Sequence, residues 1–538
     1  MLQKDENIET IYNYFRLKIC VFLRSCFNFI VKLILESSLK ISLLISLMLT
    51  SLPCTSSIPF SRKGGTCFFI SDKHASSDTS FHKLSKPQPW IATAEITGIN
   101  LGVWAFDRYA LDGDYARISW KSIRRNFQTG FVWDNDGFDT NLFFHPYHGS
   151  LYFNAARSCN MNFWSAIPFT AAGSLMWEFL LESEPAAIND WLATTIGGVA
   201  LGEVSWRLSN LLINEQKRGF HRVLRELGIW VISPLHGFNR LITGKTWKRN
   251  ITTTKNDYVP KFNFKISANY RLLCETDNWK ENAQGAELQS HFEYGHPFSS
   301  SLHNPYSYFT LDLEMNLMKK QPIIGGFRCD GLLHKLFKTN SKKNNLLIGL
   351  FQHFNFLNSD AMSLKERIVP YRISEAATLG IGLISHCSSK NNRFRMEGII
   401  HLNGVILGGS YTDFYRVVDR DYNLGSGYSF RISPEFKWRE KIALMLEWER
   451  IHLFTWKGYD ESLNLSKLSH EEMLYLNAQG DKGNTQLNQF IAKTTFRLYQ
   501  NWHLNLQYTQ YFRHTKYAHF PDIKCIVSES KVGLTYFY

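Results

Sequence analysis

The sequence predicts an α+β membrane protein in which a helical domain precedes a transmembrane antiparallel β-barrel of about twelve strands. From residue 258 to residue 538, apolar and polar residues alternate in runs of roughly ten or more, the length of a tilted strand across a bilayer. Between residues 95 and 255 the apolar residues follow a helical spacing instead. Aromatic residues make up 15% of the chain, a level that membrane barrels reach through their interfacial girdles.

The N-terminal segment has the pattern of an export signal. The run ISLLISLML at 41–49 follows Lys40 and precedes small residues at 51–57. A short apolar core between a cation and small residues is typical of a secretory signal peptide, and this one is too short to span a bilayer. We therefore predict a signal peptide with an N-terminal extension at 1–56, a polar linker at 57–94, the helical domain at 95–255 and the barrel at 258–538.

The helical domain has two apolar stretches that predict adjacent helices. The first, NFWSAIPFTAAGSLMWEFLLESE at 162–184, places Glu178 and Glu182 four residues apart and so on one helical face. The second runs from about Pro185 to Ile213. It carries a stripe of small residues, which permits a close approach by a neighbouring backbone. These residues are Thr194, Gly198, Gly202, Ser205 and Ser209.

Acidic side chains on these helices are candidates for chemistry. If the two helices lie side by side, Glu178 and Glu182 face Glu203 and Arg207. Carboxylates among apolar helices are costly unless they are paired, and such groups are often functional. The structural alternative is that Glu203 and Arg207 form an ion pair within one helix, while Glu178 takes a backbone or arginine partner, for which Arg157 is available.

Two histidines, His145 and His148, lie three residues apart in HPYHGSLYFNAARS (145–158), which its Pro and Gly predict to begin as a loop. They could share a metal with Glu178 or Asp190, but the spacing is not that of a helical zinc site and nothing marks further ligands. The alternative, which we favour, is that they are hydrogen-bonded fasteners between the loop and the helices. We predict no metal and no cofactor.

The barrel strands are predicted from strict alternation. KFNFKISANYRLL at 261–273 places aromatic and aliphatic residues on one face and Lys, Ser, Asn and Arg on the other. Similar runs are FTLDLEMNL at 309–317, YSFRISPEFKW at 428–438 and WHLNLQYTQY at 502–511. The runs near 322–331 and 487–499 are weak. A soluble β-sandwich or lipocalin-like barrel is the alternative, but soluble strands are usually about five or six residues long.

The chain ends in KVGLTYFY, whose apolar face finishes at the aromatic Tyr538. This resembles the C-terminal signal by which barrel-assembly machinery recognises its clients. We therefore expect that machinery and outer-membrane lipids as partners, and the cell outer membrane as the location, reached through the periplasm. The net charge of +13 permits an anionic partner, but no basic run is dense enough to predict nucleic-acid binding.

Several segments between residues 102 and 244 together resemble one family. They are GVWAFDRY (102–109), FVWDND (131–136), NLFFHPYHGSLYFNAARS (141–158), GSLMWEF (173–179), EPAAINDWLATTIGGVALGE (184–203) and GFNRLITG (237–244). The region resembles the bacterial domain-of-unknown-function family numbered 3943, found in Gram-negative envelope proteins. The resemblance implies an outer-membrane location and brings no established activity, so no catalytic residue is carried over.

Three hypotheses for function remain open at the level of sequence. In the first, which we favour, the protein is not an enzyme: the helical domain lies at the periplasmic mouth or in the lumen, with a structural role or in small-amphiphile binding or transport. In the second, an envelope hydrolase modifies lipid or lipopolysaccharide, with Glu178, Glu182 or Glu203 as general base and a histidine partner. In the third, the helices at 162–213 span the inner membrane beside a soluble β domain, although their polar load argues against it.

Overall fold

The computed structural model describes residues 86–538 apart from 134–135, 249–259, 276–281, 342, 363–368, 390, 392, 415–420 and much of 457–479. The predicted signal peptide and most of the predicted linker lie outside these residues. Eight α-helices occupy the described part of the N-terminal half. They are α1 (Pro89–Tyr109), α2 (Trp120–Thr129), α3 (His145–Ser158), α4 (Phe163–Met176), α5 (Ile188–Leu192), α6 (Gly198–Leu211), α7 (Phe220–Ile232) and α8 (Pro234–Ile242).

Three wide π-helical turns extend these helices, at Thr140–Phe144, Trp177–Leu181 and Ala193–Gly197. Two sequence predictions were wrong here. The segment from His145 is helical rather than a loop, because a proline is tolerated in the first turn of a helix, where Pro146 lies. The helix predicted from Pro185 begins at Ile188, and Glu182 lies beyond the preceding helix in extended backbone, so it does not share a helical face with Glu178.

Twelve antiparallel strands in the described residues close into a barrel, which confirms the predicted fold class and strand number. The first and last strands pair, with Lys265 opposite Phe537. The strands are β1 (Phe262–Glu275), β2 (Asn282–Tyr294), β3 (Phe309–Leu317), β4 (Ile324–Asn340), β5 (Asn344–Asn358), β6 (Arg372–Ser388), β7 (Phe394–Tyr411), β8 (Tyr422–Trp438), β9 (Ile442–Thr455), β10 (Gly483–Tyr499), β11 (Trp502–Tyr517) and β12 (Ile523–Phe537).

Alternation along the strands separates an apolar exterior from a polar interior. In β1, Arg271 is 1% exposed whereas the adjacent Tyr270 is 54% exposed. On other strands the outward residues Leu402 and Val532 are similarly exposed. Because successive strand residues point to opposite faces, the charged residues of these runs line the lumen and the apolar ones face outward. This is the arrangement of a barrel in a lipid environment.

The interior of the barrel is filled by charged side chains that pair across it. Arg328 on β4 reaches both Glu447 and Glu449 on β9, with a distance of 3.1 Å between its Nη1 and Glu447 Oε1. A second network joins Arg271 on β1 to Glu529 on β12, with Nε 2.7 Å from Oε2. The Arg328 pairs join strands that are not neighbours and so cross the lumen, whereas the Arg271–Glu529 pair joins the adjacent strands β1 and β12 on the inner wall.

Apolar clusters lie at both ends of the lumen. At the end with the longer connections, Tyr371 from the β5–β6 connection stacks on Tyr511 with ring centroids 4.2 Å apart, among buried aliphatic residues. At the end with the shorter turns, the β2–β3 connection contributes Phe298, Leu302 and Tyr308 to a cluster with lumen-facing strand residues. The clusters and the ion pairs together occupy much of the lumen, while Asp312 and Glu397 on its inner wall remain partly accessible.

The helical domain packs against the outward face of the barrel wall. Phe143 contacts Phe327 of β4 and Phe356 of β5, with ring centroids 5.8 and 5.2 Å apart. The side-chain amide of Gln352 on β5 donates to the carbonyl of Ile196 over 2.8 Å. Phe327, Phe356 and Gln352 alternate with lumen-facing residues, so they point away from the lumen. The predicted position at the periplasmic mouth or in the lumen was wrong, because the helices pack on outward-facing residues of β4 and β5.

Among the described helices, none is both long enough and apolar enough to cross a membrane.

Candidate functional site

The core of the helical domain is the close crossing of α3 and α6. A Cβ atom placed on Gly149 would lie 1.8 Å from the carbonyl oxygen of Thr194, and one on Gly198 would lie 2.7 Å from the backbone of Gly149. Gly202 has a similarly close neighbour in Phe153. The stripe of small residues predicted on the second helix therefore does permit a close approach, and the partner helix is α3 rather than α4.

This crossing brings together Arg157 on α3 with Glu203 and Arg207 on α6. Arg157 Nε lies 2.8 Å from Glu203 Oε2, and Arg207 Nε lies 2.8 Å from Glu203 Oε1. Glu203 is fully buried, whereas both arginines are slightly exposed. The predicted pair of Glu203 and Arg207 within one helix is present. One buried carboxylate is shared by two arginines, so the cluster has a net positive charge.

The two arginines that pair with Glu203 form one wall of a cavity of about 510 Å³ between the helical domain and the barrel, which we call the seam cavity. It lies near the end of β2 and the β2–β3 connection, and Arg207 Nη2 donates to the carbonyl of Pro305 over 2.8 Å. Its lining includes Arg157, Trp164, Ser165, Trp206, Arg207 and Tyr294. Among described residues the lining contains no acidic side chain.

The two histidines lie away from the seam cavity. His145 Nε2 is 3.7 Å from Asp190 Oδ1, and the side chain of Asn189 donates to the same oxygen over 2.7 Å. His148 Nε2 is 3.0 Å from the hydroxyl of Tyr152, which is hydrogen-bonded in turn to Asn100. Burial and the adjacent His145 lower the pKa of His148 to about 3, so its ring is neutral. His145 thus contacts an acid on α5, whereas the hydrogen bond of His148 lies within α3 and reaches α1 only through Tyr152.

The remaining predicted acids are each engaged separately. Glu178 Oε2 accepts from the backbone N–H of Ala187 over 2.9 Å, and Glu182 Oε1 accepts from the indole N–H of Trp177 over 2.7 Å. The expected backbone partner of Glu178 is therefore present, while Arg157 pairs with Glu203 instead. The predicted meeting of Glu178 and Glu182 with Glu203 and Arg207 does not occur. This geometry gives no support to the hydrolase hypothesis, and in the described part of the chain no three His, Cys, Asp or Glu side chains are grouped to hold a metal.

A second buried acid was missed in the sequence. Glu95 on α1 accepts from the side-chain amide of Asn239 on α8 over 2.7 Å and lies near the thiol of Cys159. Burial raises the pKa of Glu95 to about 7, and it also raises that of Cys159 to about 12, which leaves this thiol protonated. Glu95 and Asn239 are 144 positions apart, so no local spacing identifies the pair.

Glu95 lies at one side of an apolar groove of about 670 Å³ between α1 and the α7–α8 pair. Its lining includes Trp90, Ile99, Trp230, Leu235 and Phe238. The helical domain thus has two recesses. The seam cavity is cationic and aromatic, and the groove beside Glu95 is almost entirely apolar.

Residues 130–235, which include α3 to α7, match a family model described as a domain of unknown function, DUF3943. The match contains every candidate site residue that the sequence suggested. It covers about a fifth of the chain, and the family name assigns no activity. No curated protein matches the sequence.

Solved structures that are similar to this chain are membrane channels. The NanC porin is 7% identical with a TM-score of 0.24, over 51% of this chain and 98% of that chain. The CymD monoaromatic hydrocarbon channel is 9% identical with a TM-score of 0.22, over 52% and 88%. The Pseudomonas putida toluene transporter TodX is 8% identical with a TM-score of 0.22, over 52% and 89%. At these TM-scores the likeness carries no argument, and the barrel rests on its own strand pairing.

Proposed function

We propose that this chain is an outer-membrane protein with a sealed barrel, and that its helical domain packs on the outside of that barrel next to the lipids. In this proposal the helical domain binds a small amphiphile from the lipid side, and the lumen does not conduct solutes. The observation that carries the proposal is the position of the helices on the outward wall. A domain packed there is bordered by lipid wherever it does not contact the barrel.

The exposed face of the helical domain supports this environment. On α7, Phe220, Val223, Leu227 and Val231 lie on one side of the helix and are all more than half exposed. Trp90 on α1 is also exposed, and a row of exposed apolar side chains along one helix face differs from scattered single residues. A helix with such a face is suited to lie along a membrane interface.

The filled lumen argues against a porin-like role. Arg328, Glu447 and Glu449 pair across the middle of the barrel, and an apolar cluster lies at each end. An open solute pathway would require these pairs to separate, leaving charges without partners in a confined space. The recesses of the helical domain, in contrast, open toward the outside of the barrel.

The orientation follows from the connections between strands. The turns at 341–343, 389–393, 439–441 and 500–501 are short and lie at one end, while the connections at 359–371 and 456–482 lie at the other. In outer-membrane barrels the short turns face the periplasm. We therefore assign the short-turn end, and with it the seam cavity, to the periplasmic side.

Planar-bilayer recordings on the purified full-length protein test this function, with a general porin as the positive control. We expect heat-dependent mobility on gels, which closed barrels show, together with no steady conductance. Stable channels of porin-like conductance would contradict the sealed lumen. A protein that never shows the mobility shift would contradict the membrane barrel itself.

A further inference from the structure

We infer that the seam cavity binds the phosphate of a phospholipid in the periplasmic leaflet. This inference rests on the proposed function and specifies the ligand of its amphiphile site. It is carried by the charge of the cavity, by the aromatic rings beside that charge, and by the position of the cavity on the barrel.

The charge of the seam cavity is suited to a monoanion. Two arginines, Arg157 and Arg207, share the single carboxylate of Glu203, which leaves one positive charge without an acidic partner in the lining that the structure describes. A phosphodiester carries one negative charge and accepts hydrogen bonds at two oxygens. Arginine is the side chain best suited to that geometry because its guanidinium presents several N–H donors in one plane.

Arg157 also has donors available for a ligand. It gives Nε and Nη2 to Glu203 and Nη1 to the carbonyl of Met161, so three of its five N–H groups are engaged by described residues. Its guanidinium lies 3.9 Å from the ring centroid of Trp206, which holds it in place from the other side. The side chain is thus fixed before a ligand arrives, which lowers the entropic cost of binding.

The walls beside the arginines suit the rest of a lipid. Trp164 at the start of α4 is 58% exposed at the cavity, and Tyr294 at the end of β2 lines the barrel side. Tryptophan and tyrosine prefer the membrane–water interface because they present an apolar ring and a polar group together. Acyl chains of a lipid whose phosphate lies at Arg157 would run along the outward wall of the barrel, which is apolar.

The position of the seam cavity selects the source of the phosphate. Tyr294 ends β2 and Pro305 belongs to the β2–β3 connection, so the cavity lies at the short-turn end and on the lipid side of the wall. This is the depth at which headgroups of the periplasmic leaflet lie when the short turns face the periplasm. Basic recesses at this depth are suited to lipid headgroups.

Native mass spectrometry of the full-length protein in detergent tests the inference, with dioleoyl phosphatidylglycerol as the probe and diolein, which lacks phosphate, as its matched lipid. We expect phosphatidylglycerol to remain bound and diolein not to. Equal retention of the two lipids would overturn recognition of the phosphate. Displacement of phosphatidylglycerol by millimolar inorganic phosphate would contradict a phospholipid as the ligand and would indicate a site for free anions.

Two substitutions place a negative charge in the seam cavity without removing the arginines. Ser165→Glu adds it from the first turn of α4, where an acidic residue favours the helix, and Ser165→Gln is the neutral control of equal size. Asn210 also lines the cavity, and Asn210→Asp adds the charge from α6 with almost no change in shape, at the loss of the hydrogen bond that the amide donates to the carbonyl of Trp206 over 2.8 Å. We expect each acidic variant to bind phosphatidylglycerol about tenfold more weakly, a change of about 1.4 kcal/mol, while Ser165→Gln binds as the wild type does.

Unchanged lipid binding in both acidic variants would overturn the assignment to the seam cavity. Their heat-dependent mobility shows whether the barrel is folded, so loss of binding with a normal shift is attributed to the site. The proposed function is tested separately, because a sealed barrel in the membrane requires the mobility shift and the absence of conductance whether or not phosphatidylglycerol binds.

Discussion

The buried Glu203 carboxylate is expected to stabilise the helical domain, because it separates two arginines. Glu203→Ala leaves Arg157 and Arg207 facing each other with no acidic partner between them. Removing one partner from a buried ion pair costs about 3–5 kcal/mol. We expect the helical domain to become sensitive to protease at temperatures where the wild-type domain is resistant, as measured by limited proteolysis.

An exposed ion pair provides the control for this variant. Asp112 pairs with Arg117 at 2.9 Å, and its side chain is mostly exposed. Asp112→Asn is expected to change stability by less than about 1 kcal/mol, because exposed pairs are weak. If Glu203→Ala and Asp112→Asn had the same protease sensitivity, the Glu203 cluster would not be a structural centre of the domain.

Glu95 makes the stability of the helical domain depend on pH. Its pKa is raised from an ordinary value of 4.5 to about 7 in the folded protein, so the folded state retains a proton that the unfolded chain has lost. The free energy of unfolding therefore falls as the pH rises through this interval. We expect thermal unfolding of the wild-type domain at a lower temperature at pH 8 than at pH 5.

Glu95→Gln isolates this contribution, since glutamine keeps the acceptor for Asn239 but does not titrate. We expect the difference between the two pH values to become smaller in this variant. A difference of the same size in both proteins would show that other groups cause the pH dependence.

Individual contacts of the site were predictable to different degrees. The pair of Glu203 and Arg207 follows from a spacing of four residues on a helix, and the backbone partner of Glu178 was anticipated. The second arginine was assigned to the wrong acid, because the sequence does not say which helices cross. Glu95 was missed for the same reason, since its partner Asn239 is distant in the chain.

At the level of elements, the crossing of α3 and α6 depends on glycine. A methyl group at Gly149 would collide with the carbonyl of Thr194, whereas Gly98 on α1 has no atom within 4 Å of the same position. We expect Gly149→Ala to destabilise the helical domain by about 1–3 kcal/mol, as overpacking of a core does. Thermal unfolding of the purified protein measures the change.

Gly98→Ala is the matched control because both substitutions add one methyl group within a helix. Alanine is the better helix former by about 1 kcal/mol, so this variant is expected to be neutral or more stable. A neutral Gly149→Ala would mean that the two helices do not approach as closely as the structure has them.

Strands were easier to predict than helices in this chain. The alternation of apolar and polar residues over long runs indicates a strand whatever the strand packs against. Even the weakly alternating segments near 322–331 and 487–499 lie in β4 and β10. The helix from His145 was predicted as a loop because Pro146 and Gly149 are loop residues by composition. In the fold, Pro146 lies in the first turn of the helix, and Gly149 lies in contact with the backbone of Thr194. The contact of Gly149 depends on how the helices pack, which the local sequence does not show.

On the scale of the whole molecule, the sequence predicted which parts are barrel and which are helical but not how they meet. Alternation shows that each strand has an apolar face, and it gives the same pattern whether lipid or protein covers that face. Phe327 and Phe356 belong to such faces, and both are covered by the helical domain. The sequence also did not predict that ion pairs occupy the lumen, because charged residues on the inner face are expected both in a water-filled channel and in a network of ion pairs.

Cysteine cross-linking in intact outer membranes tests the position of the helical domain most directly. Leu142 lies against Gly409 of β7, where an added Cβ would be 2.2 Å from Leu142 Cδ1. In a variant whose nine native cysteines are replaced by alanine, Leu142→Cys with Gly409→Cys is expected to link through a short bismaleimide. Leu142→Cys with Thr378→Cys, a buried lumen-facing position on β6, is expected not to link. Linkage to residue 378 without linkage to residue 409 would place the domain in the lumen and contradict the account.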